Sequence, residues 1–70
     1  MKWDVKDWPH GGKCYQYYKP NMLIRPCRTS GRGKRFRVRT WSLYLGHYGE
    51  LAHGKKFHTC RIIAEMIVHG

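Results

Sequence analysis

The chain has 70 residues, enough for one domain, and carries 14 Lys and Arg against four Asp and Glu, a formal charge of +10. A domain of this size buries only about 60% of the surface that its unfolded chain exposes, so three Trp, five Tyr and two Phe must supply much of a small core. No apolar run exceeds three residues, which excludes a transmembrane helix and the apolar centre of a secretory signal and makes a cytoplasmic protein the default expectation.

In chain order, residues 1–12 hold two of the acids, Asp4 and Asp7, and end in the turn cluster Trp8-Pro9-His10-Gly11-Gly12, the pattern of an N-terminal arm. Residues 13–18 are rich in β-favouring aromatics and stop at Lys19-Pro20-Asn21, which predicts a strand and a turn. Residues 22–28 read as a second strand, which Pro26 assigns to a sheet edge or a bulge because proline lacks an N–H. Ser30-Gly31-Arg32-Gly33 is the clearest turn, and the alternating strand 34–41 after it predicts an antiparallel hairpin with 22–28. Residues 43–48 form a further strand with Leu43, Leu45 and His47 on one side and Tyr44 and Tyr48 on the other. Residues 49–56, with two Gly and two Lys, read as a loop, a short hairpin at His53-Gly54 being the alternative.

A helix over 59–68 closes the chain, with Thr59 as N-cap and an apolar stripe of Ile63, Met66 and Ile67 flanked by Ile62. The expected fold is α+β: a small antiparallel meander of three to four strands over 13–48, with the C-terminal helix packed on one face.

From Trp8 to Gly49 there are 42 residues with nine Lys or Arg and not one Asp or Glu. Unmixed charge of this length points to a negative partner, since the self-repulsion of a +10 chain destabilises its compact state until a polyanion or an acidic surface relieves it. In the run 34–41, alternation sends Arg35, Arg37, Arg39 and Trp41 to one face and Phe36 and Val38 to the other. Guanidinium groups donate to phosphate bidentately, and aromatic rings offer stacking surfaces for bases. The candidate nucleic-acid-binding residues are therefore Arg25, Arg28, Arg32, Lys34, Arg35, Arg37, Arg39 and Trp41. A solvated basic face is the bland alternative.

Other chemistry has less support. His10, Cys14, Cys27, His47, His53, His58, Cys60 and His69 are ligand types, but their spacing lacks the close pairs of structural zinc sites, so no metal or other cofactor is expected. Three widely spaced cysteines suit a reducing compartment, with a Cys14–Cys27 bridge left open. The four acids are scattered, with Glu50 and Glu65 standing alone, so no enzyme is expected. Trp3, Trp8, Tyr15, Tyr17 and Tyr18 read as core or edge-covering residues, and Trp41 as a stacking surface.

The order hairpin, third strand and helix, with basic middle strands and Tyr44-Leu45-Gly46-His47-Tyr48 ahead of the helix, resembles AP2-type and integrase arm-binding DNA-binding domains over residues 22–68. The resemblance implies a sheet in the DNA major groove, with Arg35, Arg37, Arg39 and Trp41 facing it, Leu45 and Gly46 leading to the helix, and Ile63 and Ile67 under the sheet. The resulting expectation is a small basic accessory protein, of the kind a phage or mobile element encodes, that binds nucleic acid, DNA before RNA, and not membrane. The alternatives are an inhibitor docking its basic face on an acidic host protein, and an RNA- or ribosome-binding component. Oligomeric state is not readable from the chain.

Overall fold

The computed structural model describes residues 2–7, 12–27 and 40–70. Among them are five strands: β1 (Asp4–Asp7), β2 (Lys13–Tyr18), β3 (Asn21–Pro26), β4 (Trp41–Leu45) and β5 (Gly49–Lys55), followed by one helix, α1 (Phe57–His69). The strands form one sheet in the order β1-β2-β3-β4-β5, each antiparallel to its neighbours. The α+β class is as expected, with one strand more than the upper end of the expected count.

Alternation decides what each strand buries. In β3, Met22, Ile24 and Pro26 are buried while Leu23 and Arg25 turn to the other face. Across β4, Met22 pairs with Leu45, Ile24 with Leu43 and Pro26 with Trp41, so these side chains share the face that α1 covers. Met22, Ile24 and Leu43 are wholly removed from solvent, each such burial being worth about 1.5–3 kcal/mol.

The helix meets this face through Cys60 and Ala64, both fully buried and one turn apart, which are small enough to let the helix axis approach β3, β4 and β5 closely. Ile63, Ile67 and Val68 pack around them, whereas Met66 and Ile62 face solvent. The expected stripe thus rotates: small residues take the centre of the contact, and Met66 lies outside it. The helix also starts earlier than expected, at Phe57 after Lys56, without a side-chain cap. Docking of the Phe57 ring supports this first turn: it lies 4.7 Å from Tyr15 and 5.1 Å from Trp41, centroid to centroid, as one end of an aromatic cluster.

Three strand expectations change. Residues 4–7 form an edge strand on β2 although all four are exposed. Gly49–Lys55, expected as part of a loop, supply the opposite edge strand, with Ala52 its one buried residue. Trp41–Leu45 pair with β3, while Gly46–Tyr48, expected to belong to the strand 43–48, form a single 3-10 turn. The expected turn at residues 30–33 and most of the expected hairpin strand 34–41 lie outside the described residues. Gly49 follows at φ +82, a value that L side chains rarely adopt, and lets the chain reverse into β5.

Pro26 lies at the end of the central strand, not at a sheet edge. Cys27 N–H donates to the Thr40 carbonyl at 3.0 Å, so by antiparallel alternation Pro26 and Trp41 are a pair that exchanges no ladder bond. The β2 pairing ends at Ile24, two residues earlier, so the missing N–H breaks no ladder bond on that side either. The turn expected at Lys19-Pro20-Asn21 is present, with a cis Lys19–Pro20 peptide and the Gln16 side-chain amide donating to Asn21 Oδ1 and to the Met22 carbonyl. Cys14, Cys27 and Cys60 are free thiols.

Candidate functional site

The face of the sheet away from α1 carries Gln16, Leu23, Arg25, Ser42 and Tyr44, with Glu50 and His53 joining from β5. Glu50 and His53 are three apart, a spacing that puts two residues of a regular strand on opposite faces. Here the β4 partners step from Leu43–Ala52 to Tyr44–Glu50, which leaves Leu51 as an extra residue. That bulge brings both side chains to the outer face while Ala52 stays in the core.

They join a continuous polar network. Arg25 Nη2 donates to the Tyr44 hydroxyl at 2.6 Å, and its guanidinium carbon lies 4.4 Å from the centre of the same ring. The Tyr44 hydroxyl donates to Glu50 Oε2 at 2.9 Å, and His53 Nδ1 lies 3.2 Å from that oxygen. The Ser42 Oγ is 3.0 Å from His53 Nδ1 and 3.0 Å from Cys27 Sγ. The donor from Tyr44 holds the Glu50 carboxyl below the ordinary carboxylate range; partial desolvation opposes this, and the His53 hydrogen bond and charge and the Arg25 charge add to it.

Desolvation raises the Cys27 thiol, but hydrogen bonds from Ser42, the Gly54 backbone and Thr40 together outweigh it and the Glu50 charge, leaving a net lowering. Burial, with the nearby Cys27, pushes the Cys60 thiol up.

Of the residues expected to bind nucleic acid, Arg28, Arg32, Lys34, Arg35, Arg37 and Arg39 lie outside the described residues. Arg25 is on the outer face but engaged with Tyr44. Trp41 is on the opposite face from Arg25: it pairs with Pro26, and its ring is packed with Tyr15 at 5.8 Å and Phe57 at 5.1 Å under the helix. The expected grouping of Arg25 with Trp41 on one surface is therefore corrected. The core position opposite Pro26 claims this large ring for burial. Trp3 likewise lies against Tyr17, at 5.3 Å, as a core-covering residue.

Glu50 does not stand alone, and the residues that join it were not legible as a set. Ser42 and Tyr44 come from β4, Glu50 and His53 from β5, and Cys27 directly follows β3, and only the pairing registers and the β5 bulge converge them. Among the described residues no group of three His, Cys, Asp or Glu is placed to hold a metal ion, and no helix is long and apolar enough to cross a membrane.

The residues 28–39 contain six of the fourteen basic residues and none of the four acids, leaving eight bases against four acids elsewhere. Their flanking residues, Cys27 and Thr40, are hydrogen bonded to each other across the two middle strands. Compared with known proteins, the chain matches no family model, no curated protein and no solved structure, so the functional argument rests on its own residues and geometry.

Proposed function

We propose that this protein is a small basic nucleic-acid-binding module, with DNA the favoured partner, whose phosphate contacts come mainly from Arg28, Arg32, Lys34, Arg35, Arg37 and Arg39. One observation carries the reading: the twelve residues 28–39 bear six cations and no acid, and the residues on either side of them, Cys27 and Thr40, are joined by a backbone hydrogen bond. Six cations within twelve residues of chain are a charge density suited to a polyanion. Arg25 contributes less to this surface than its sequence position suggests, because it shares its environment with Tyr44 and Glu50.

The test is a titration against duplex DNA and single-stranded RNA over a salt series, read by fluorescence anisotropy. About five phosphate contacts give a slope of log K against log salt of roughly −4 to −5 on duplex DNA. The triple variant R35A/R37A/R39A is expected to bind more weakly and to lose about 2 to 3 from the magnitude of that slope, at roughly 0.9 per contact. Unchanged affinity and slope would remove these arginines from the interface. Absence of salt-dependent binding to either nucleic acid, with retention of an acidic protein from nuclease-treated lysate, would replace the polyanion by a protein surface.

A further inference from the structure

Hydrogen-bond direction along the outer network can be assigned group by group. An ionised carboxylate only accepts, so the hydrogen between Glu50 Oε2 and the imidazole sits on His53 Nδ1, and the Tyr44 hydroxyl, donating to the same oxygen, is free to accept from Arg25. Nδ1 carries one hydrogen, shared between Glu50 Oε2 and Ser42 Oγ, which leaves the Ser42 hydroxyl able to give its own hydrogen to Cys27 Sγ, 3.0 Å away. A thiol sulfur accepts weakly and a thiolate strongly, so a hydrogen bond given to this sulfur favours the thiolate.

We propose that Cys27 is a covalent modification site, a nucleophilic thiol that exchanges with low-molecular-weight disulfides and is held in its reactive form by the Ser42 hydroxyl at the end of the Arg25, Tyr44, Glu50 and His53 chain. Access agrees with the chemistry: Cys27 is partly exposed, whereas Cys14 and Cys60 are buried at 8% and 0% exposure. The net downward shift of the thiol has the same origin, since its hydrogen bonds from Ser42, the Gly54 backbone and Thr40 outweigh desolvation.

In the exchange, Cys27 first loses its proton to solvent. Its Sγ then attacks one sulfur of the disulfide, a new S–S bond forms as the old one breaks, and the second sulfur leaves with the bonding pair as a thiolate that takes up a proton. Cys27 is oxidised and the departing half of the disulfide reduced, with no further oxidant required. The site stands independently of nucleic-acid binding.

The experiment treats the reduced, folded protein with glutathione disulfide, and in parallel with a chromogenic aromatic disulfide, across a pH series; modified cysteines are located by peptide mass mapping. Cys27 is expected to react faster than Cys14 and Cys60 by on the order of tenfold or more, with a rate midpoint below that of the same cysteine in the urea-unfolded chain. S42A is expected to raise the midpoint and S42T to restore it. T40V, at the partly exposed neighbouring position, gives a smaller rise and serves if S42A fails to fold. Reaction at Cys27 no faster than at the buried cysteines, a midpoint equal to that of the unfolded chain, or a midpoint unmoved by both S42A and T40V would each overturn the proposal.

Discussion

The five strands and the helix hold five basic residues against four acids, whereas the twelve residues between Cys27 and Thr40 hold six bases and no acid. Within the sheet and helix, charge is locally balanced: Lys13 pairs with Asp7 at 3.2 Å, Arg61 with Glu65 at 3.5 Å, and Glu50 receives Tyr44 and His53. Such exposed pairs contribute little to stability, with a median of about 0–1 kcal/mol, but they leave little net charge for a partner. The difference teaches that the positive charge of this protein is not a property of its surface at large. More than half of the net charge belongs to the twelve residues 28–39, and the sheet and helix are the frame on either side of them in the chain.

The sharpest way to break this division is Trp41→Ala. If Trp41 belongs to the frame, losing its ring from the cluster with Tyr15 and Phe57 costs about 3 kcal/mol in chemical denaturation, the lower end for such truncations because the ring is only partly buried. Affinity per folded molecule would change little. A variant of full stability that no longer binds nucleic acid would move Trp41 to the interface and blur the division. The triple arginine variant is the converse case, expected to lose affinity and salt dependence while unfolding within about 0.5 kcal/mol of the parent, as surface substitutions usually do.

Smaller effects sharpen the outer network. Tyr44→Phe keeps a ring beside the Arg25 guanidinium and removes the hydroxyl, which should cost about 0.5–1.5 kcal/mol by denaturation and let the Glu50 carboxyl titrate closer to its ordinary value by NMR. Glu50→Gln has the smallest expected effect, and it depends on pH. The folded-state value of Glu50 is depressed, so its stabilisation is present above the unfolded-state value and lost as pH falls through the folded one. The Tm difference between the parent and E50Q should therefore be widest near neutrality and close as pH falls through the carboxylate range. A difference constant with pH would show that the Glu50 charge is not coupled to folding.

Much of the interior was legible. Alternation placed Leu43 and Leu45 together opposite Tyr44, and the helical period placed Ile63 and Ile67 toward the sheet. The edge strands were not, for a physical reason. β1 buries no side chain and β5 buries only Ala52, so neither carries an apolar pattern; backbone pairing to a neighbour defines them. The outer network was hidden for a related reason: Ser42 and Glu50 lie on different strands and Cys27 just beyond the end of a third, and the β5 bulge that aligns Glu50 with His53 has no local signature beyond nearby glycines.

The sequence by itself determined the α+β class, the common side of Leu43 and Leu45, the inward face of Ile63 and Ile67, and the one-sided charge of residues 8–49, because hydropathy period and net charge are properties of the chain before it folds. Only the tertiary structure decided that Trp41 packs on the core face, opposite the face of Arg25, that Cys60 and Ala64 rather than Met66 meet the sheet, and that Cys27, Ser42, His53 and Glu50 form one network. These depend on strand register, where a slip of one residue exchanges the two faces, and on how closely a helix can approach, which the smallest side chains at the contact set.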